Sequence, residues 1–195
     1  MATQARGQET ERRLLDGALD VYARHGSEGF TLTAVTDTSG VSVGSLYHHF
    51  GSFSGLAAAL YSQCMGDLLD ALLEALSRTD DPREGVRAVC GAYLGWVGAH
   101  RSRAHFILAS PQSVLAERAV EIAEAKRPKI EAMGEWVRPH IEAGRLLPLP
   151  PMLLEMLLIG PLAETSRRWL AGVPGISLDE AAEILPERIW QALRA

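Results

Sequence analysis

The chain has 195 residues, of which 47% are hydrophobic and 22% are charged, and its formal net charge is −5. This composition predicts a globular protein with a substantial core, and the acidic balance argues against binding nucleic acid through bulk electrostatics. The longest apolar run, 152–162, is too short to cross a bilayer, and the N-terminus lacks the apolar segment of a secretory signal. We therefore expect a cytoplasmic protein that is not associated with a membrane.

Helix-forming residues dominate the whole chain, whereas runs that alternate β-branched or aromatic with polar residues are nearly absent. The sequence therefore predicts an all-α protein of about nine helices. The first helix is expected over about 10–25, where apolar side chains recur on one face at helical spacing. Gly26 provides a left-handed stop for it.

Two short helices follow, separated by a tight turn. Thr31 can cap a helix over 32–39, Gly40 can form the turn, and Ser42 can cap a third helix. Two short helices joined by a turn with glycine are typical of a helix-turn-helix, whose second helix enters the major groove of DNA. The N-terminal part of the chain is therefore predicted to be a three-helix DNA-binding domain.

The fourth helix is predicted to be long and to begin near Ser52 or Ser54, and to span both halves of the molecule. One of its faces carries apolar residues at strict four-residue spacing: Leu56, Leu60, Cys64, Leu68, Leu72 and Leu76. Asp81, followed by proline, predicts the start of a fifth helix that extends to about His100. A short sixth helix is expected around 105–108.

The last third of the chain is also predicted to be helical. The segment 114–143 is periodic, but Pro128 and Pro139 should kink it or divide it. Two further helices, over 152–171 and 178–194, are apolar on more than one side. Because such helices are buried or pair with another chain, we expect a homodimer that forms through these two C-terminal helices.

The outward face of the third helix carries the candidate DNA contacts. Glycine inside a helix costs about 1 kcal/mol relative to alanine, so Gly44 indicates a close approach of the backbone, here to a phosphate strand. Tyr47 can donate its hydroxyl to a phosphate oxygen, although it could instead belong to the core. Adjacent His48 and His49 point about 100° apart on a helix and cannot share a metal ion. The predicted DNA-binding residues are Thr33, Ser42, Val43, Gly44, Ser45, Tyr47 and His48.

Residues 31–50 closely resemble the DNA-binding domain of the TetR family of transcriptional regulators. The residues that match the motif of that family are Gly40, Val41, Ser42, Gly44, Leu46, Tyr47 and Phe50. The resemblance implies a helix-turn-helix domain over 1–51 and a larger helical ligand-binding and dimerisation domain over 52–195. It also implies a homodimeric repressor that leaves a palindromic, double-stranded operator when a small-molecule effector binds.

Two positions depart from the family pattern, because the family usually has a basic residue at the position of Val43 and a lysine at that of Phe53. In addition, 1–61 contains only four basic residues against six acidic ones. We hypothesise that three arginines supply much of the electrostatic attraction to DNA: Arg6, Arg12 and Arg13. The charge pattern leaves one alternative open, a helical regulator that binds ligands or proteins and has weakened or lost DNA binding.

Apolar, aromatic and histidine residues concentrate in the middle of the chain. On each of the predicted fifth and seventh helices, bulky apolar residues and a histidine share one face, which suits a core and equally suits the mostly apolar wall of a ligand pocket. The family resemblance implies a pocket among helices four to seven. The predicted effector-binding residues, for a largely apolar effector, are Cys64, Met65, Leu68, Tyr93, Trp96, His100, Phe106, Met133, Trp136 and His140.

An enzyme is the competing class of protein, and the sequence offers little for it. There is no HExxH pattern, no GxSxG pattern, no Glu-x-x-His pair and no glycine-rich phosphate loop. Cys64 and Cys90 fit neither a redox nor a zinc spacing, so we interpret them as reduced, buried residues. We therefore expect no enzymatic activity, no metal ion and no cofactor.

Overall fold

The computed structural model describes residues 2–109 and 116–195, with side chains from Ala5 onward. These two stretches contain nine helices: α1 (Ala2–Gly29), α2 (Leu32–Ser39), α3 (Val43–Phe50), α4 (Phe53–Leu76), α5 (Pro82–Ala99), α6 (Arg101–Ala109), α7 (Ala119–Glu142), α8 (Pro151–Leu170) and α9 (Leu178–Leu193). Apart from one isolated bridge between Leu146 and Arg194, they contain no β-structure, so the all-α prediction is confirmed. Every helix in these stretches is too short or too polar to cross a bilayer.

Two helices differ from the predicted elements. α1 begins at Ala2 rather than near Thr10, because its polar first turns contain good helix formers although they lack an apolar face. α7 is a single helix that contains Pro128 and Pro139, so of the two predicted alternatives, a kink or a division, the division does not occur; both prolines are exposed. The start of the predicted segment, 114–115, lies outside the described residues.

The predicted helix caps around the helix-turn-helix are confirmed. Thr31 accepts a hydrogen bond from the backbone N–H of Ala34 at 3.3 Å, and Ser42 accepts one from Ser45 at 3.2 Å. Each bond satisfies a backbone N–H that has no partner within its own helix. Gly40 ends α2 in the left-handed region, with φ of 63°, which glycine adopts without a steric penalty.

The described chain divides into two compact units. Unit 1 comprises Met1–Met65 and Ser102–Lys126, and unit 2 comprises Gly66–Arg101 and Arg127–Ala195. Both α4 and α7 contribute residues to each unit. These units describe contacts, and the functional domains predicted over 1–51 and 52–195 remain a prediction.

The core of unit 1 joins the helix-turn-helix to α6. The ring of Tyr22 meets the ring of Phe106 edge-on, with centroids 4.8 Å apart, and Phe30 contacts both Phe53 and Phe106. Leu46 from α3 is fully buried in the same cluster. α3 is therefore held by residues that are far apart in the sequence.

Unit 2 is built on α5, α8 and α9, which pack together. The indole of Trp136 lies against Gly85, where a Cβ atom would come within 2.2 Å of the ring. The indole N–H donates to the carbonyl of Thr79 at 3.0 Å. The Lys129 ammonium group donates to the carbonyl of Gly66 at 3.0 Å and to the carboxylate of Asp70, which ties α7 to α4.

Cys90 in unit 2 should be chemically inert while the protein is folded. Burial raises the pKa of its thiol from 9.0 to about 12. At pH 8 the reactive thiolate should then be about a thousand-fold rarer in the folded than in the unfolded chain. We expect iodoacetamide to alkylate Cys90 only after denaturation, as measured by peptide mass spectrometry. The raised pKa also makes the free energy of unfolding depend on pH. The contribution of the Cys90 thiol is fully present below pH 9, and it is lost as the pH rises from 9 towards about 12, because only the unfolded chain then releases the proton.

Candidate nucleic-acid interface

The α3 helix has one face in the core and one face open to solvent. Leu46 anchors the inner face and has no exposed surface. On the outer face, Val43 is 43% exposed and Tyr47 is 48% exposed. Tyr47 therefore does not belong to the core, and its hydroxyl is available to an external acceptor.

The seven predicted DNA-binding residues are all at least partly exposed. Thr33 is exposed on α2, Ser45 is half-buried, and the rest are exposed: Ser42, Val43, Gly44, Tyr47 and His48. The hydroxyls of Ser42 and Ser45 lie 3.0 Å apart and hydrogen-bond to each other. The structure thus leaves each predicted residue at least partly accessible to another molecule.

Gly44 has no structural reason within the described protein to be a glycine. A Cβ atom built there would meet nothing closer than the Ser42 hydroxyl, at 4.0 Å. Gly44 therefore leaves the backbone of α3 accessible at an exposed position, although glycine weakens a helix.

The turn that precedes α3 is fixed from α1. The guanidinium of Arg13 donates to the carbonyl of Ser39 at 2.7 Å and to that of Gly40 at 3.3 Å. Gly17 of α1 faces Ser39 so closely that a Cβ atom would lie 2.9 Å from the serine Cβ. We hypothesised from the sequence that Arg13 attracts DNA by its charge. In this structure its guanidinium also caps α2, so Arg13 has a structural role as well.

Replacing Arg13 with glutamine should lower the free energy of unfolding by about 1–2 kcal/mol, because the charge-assisted bonds to two carbonyls are lost. Urea denaturation would measure this change. The matched control is Arg12→Gln, which removes exposed ion pairs with Glu9 and Asp16 and should leave stability nearly unchanged. Equal stability of the Arg13 variant and the unmodified protein would contradict the capping role.

The first turn of α4 contains a glycine that the sequence analysis did not single out, Gly55. A Cβ atom on Gly55 would lie 2.1 Å from the carbonyl oxygen of Phe50. Ser52 caps α4 by accepting from the N–H of Gly55 at 2.9 Å, and Gly51 between the helices has φ of 71°. The orientation of α3 relative to α4 therefore depends on Gly55.

The predicted effector-binding residues are divided between the two units. In unit 1, Cys64 and Phe106 are buried in the hydrophobic core, and Met65 is half-buried. In unit 2, Leu68, Tyr93, Trp96 and His140 are buried, Met133 and Trp136 are half-buried, and His100 is exposed. The imidazole of His100 stacks on Trp96 at 5.2 Å and hydrogen-bonds to its carbonyl.

His140 is the predicted effector residue with the most unusual environment. Its imidazole packs against the edge of Trp136, with ring centroids 4.4 Å apart, and its Nδ1 atom is buried without a hydrogen-bond partner among the described residues. Burial lowers the pKa of His140, and the nearby positive charge of Arg145 lowers it further. The imidazole is therefore neutral at pH 7 and retains a polar atom that a ligand could bind.

An open cavity of about 650 Å³ in unit 2 is lined by none of the predicted effector residues. Its walls carry charged side chains and one indole, including Arg83, Glu84, Arg145, Trp190 and Arg194. Arg83 also forms an ion pair with Glu187 at 2.8 Å. The charged side chains in these walls do not suit the largely apolar effector that the sequence predicts. Across residues 2–109 and 116–195, no group of three or more His, Cys, Asp or Glu side chains is placed to hold a metal ion.

The C-terminal helices expose large apolar side chains in the single chain. On α8 these are Met152, Leu153, Met156 and Leu157, and Met152 and Met156 are more than 60% exposed. Ile184 on α9 is 51% exposed. Apolar side chains clustered in this way are typical of a surface that contacts another protein.

Comparison with known proteins identifies the helix-turn-helix. Residues 14–60 match the family described as bacterial regulatory proteins, tetR family. Over 188 residues the chain is 24% identical to the HTH-type transcriptional activator FasR of Mycolicibacterium smegmatis, a match that covers 95% of this chain and 83% of FasR.

Solved structures with the same fold extend the similarity to the whole chain. A TetR family transcription regulator from Marinobacter aquaeolei VT8 superposes with a TM-score of 0.77 at 21% identity, covering 100% of this chain and 99% of that one. FadR from Bacillus subtilis, solved in complex with stearoyl-CoA, gives a TM-score of 0.74 at 16% identity, with coverage of 91% and 96%. At these identities the likeness concerns the fold alone.

Proposed function

Because the chain belongs to the TetR family of DNA-binding transcriptional regulators through its helix-turn-helix, we propose that it is a homodimeric repressor, which an effector releases from a palindromic operator. The observation that carries this proposal is the outer face of α3. There Gly44 leaves the helix backbone accessible to another molecule, and Tyr47 is exposed on the same helix. Serines at its N-terminus are small enough to let the helix enter a major groove.

We propose that α8 and α9 form the dimer interface. A twofold axis brings the same surface of both protomers together, so one exposed apolar patch is sufficient for self-association. Met152 and Met156 supply flexible apolar surface for such a contact. The dimer would present two α3 helices to successive major grooves, which explains the expectation of an inverted-repeat operator.

The proposed effector is a largely apolar small molecule that binds among the buried aromatic residues of unit 2. Tyr93, Trp96 and Met133 supply apolar surface there, and the unpartnered Nδ1 of His140 supplies a polar anchor. The stearoyl-CoA complex of Bacillus subtilis FadR makes long-chain acyl thioesters the first compounds to test. α4 is continuous from Phe53 to Leu76, so a ligand that displaces its later turns would also act on its first turns, beside α3.

Selection of bound fragments from random duplex DNA tests the proposal most directly. We expect an inverted repeat to be recovered, and sedimentation of the complex should give two protomers for each site. An acyl thioester that binds the protein should then lower its affinity for the recovered DNA. Failure to enrich any sequence would contradict the proposal and favour a regulator that has lost DNA binding.

A further inference from the structure

The helix-turn-helix is poor in cations that are free to meet phosphate. Val43 and Phe53 are neutral, and Phe53 packs against Phe30 with ring centroids 5.0 Å apart. Arg12 pairs with two carboxylates, and Arg13 binds the carbonyls of the turn before α3. Arg6 of α1 is exposed, but it is a single charge. Since phosphate contacts supply much of the affinity of any DNA-binding protein, the proposed function calls for further positive charge from elsewhere in unit 1.

Arg118 brings such a charge to the end of the helix-turn-helix. It precedes α7 and belongs to unit 1, although it is 66 residues from Ser52 in the sequence. Its guanidinium donates to the hydroxyl of Ser52 at 3.1 Å. Ser52 follows the end of α3 by only two residues, and its hydroxyl also lies 2.9 Å from that of Ser54.

The first turn of α7 holds Arg118 in this place. The N–H of Ile122 donates to the carbonyl of Arg118 at 3.0 Å, which begins the helix. Ile122 is buried and packs against Ala58 and Tyr61 of α4. Because residues four apart lie on the same face of a helix, the contact of Ile122 with α4 directs Arg118 toward the start of α4.

We propose that Arg118 binds a backbone phosphate of the operator, beside Ser52, and supplies the contact that the family usually makes with basic residues at the positions of Val43 and Phe53. The inference rests on the proposed function. A guanidinium matches the geometry of a phosphate group and remains charged at every accessible pH. Among the described residues it also forms an ion pair with Glu121, at 2.7 Å, whose side chain is 60% exposed. An exposed pair of this kind is weak and can exchange for a phosphate.

The salt dependence of operator binding tests this role. Arg118→Gln should weaken binding at low salt and reduce the slope of log K against log salt concentration by about 0.9 for each bound protomer. Arg118→Lys should retain the slope, because the charge is kept. If Arg118 only supports the fold, Arg118→Gln would weaken binding equally at all salt concentrations, and the unchanged slope would overturn the proposal.

A second variant keeps the test decisive if Arg118→Gln is unstable. Glu121→Gln leaves the guanidinium in place and removes the carboxylate that competes with phosphate, so binding at low salt should become several-fold tighter. Unchanged affinity of this variant would count against the proposal. Thermal melts of all three variants establish that they are folded. If the unmodified protein binds no DNA, the proposed function itself fails, whereas an unchanged slope with intact wild-type binding rejects only the role of Arg118.

Discussion

Replacing Gly55 with alanine should lower the free energy of unfolding by about 2–3 kcal/mol and abolish specific DNA binding, because the new methyl group overlaps a backbone carbonyl. The carbonyl oxygen of Phe50 would lie 2.1 Å from the added Cβ, and a backbone atom cannot rotate away as a side chain can. α3 must then shift relative to α4. Urea denaturation measures the loss of stability, and a gel shift measures the loss of binding.

Gly44 provides the matched control, since the same substitution should have the opposite effect on stability. A Cβ atom at Gly44 enters open space, so alanine should stabilise α3 by about 0.5–1 kcal/mol. Operator affinity should nevertheless fall by about tenfold or more, because the methyl group occupies the surface that we assign to DNA. A Gly44→Ala protein that is more stable and binds DNA equally well would remove this glycine from the interface.

Replacing Met156 with glutamate should convert the dimer into monomers. Met156 is 61% exposed in the single chain and lies at the centre of the apolar surface of α8. In a twofold interface the substitution buries two uncompensated charges, which should weaken the dimer by about a hundred-fold or more. Operator binding should fall with it, because each protomer then reads one half-site alone.

Analytical ultracentrifugation at micromolar concentration would follow this change in mass. Met156→Leu is the matched control, because it keeps the apolar surface at nearly the same volume and should leave the dimer intact. A glutamate variant that sediments as a dimer would place the interface on another surface. Restored operator binding when two copies are covalently linked would separate loss of association from damage to the fold.

The sequence predicted most accurately the features that depend on neighbouring residues. The caps Thr31 and Ser42 and the turn at Gly40 were readable because their partners lie within a few positions. The buried stripe of α4, from Leu56 to Leu76, was readable because helical periodicity alone determines it. The extent of α1 was not, since its first turns have no apolar face.

Features that depend on the geometry of a turn or on long-range contacts could not be predicted from the sequence. Gly44 stood out inside a recognisable motif, whereas Gly55 has a role only because the α3–α4 turn brings the Phe50 carbonyl against it. No pattern connects Arg118 with Ser52 across 66 residues. For the same reason, helical faces could suggest effector residues but could not reveal that they are divided between two compact units.

The contribution of α6 and of the first turn of α7 to unit 1 has a consequence for the construction of chimeric regulators. A designer who transplants only 1–51 onto a foreign sensor would leave Phe106 and Ile122 behind. Tyr22 would then lose its contact with Phe106, and the apolar surface exposed by this loss should favour aggregation. A transferable cassette for this protein must therefore be discontinuous, with 102–126 accompanying the N-terminal segment.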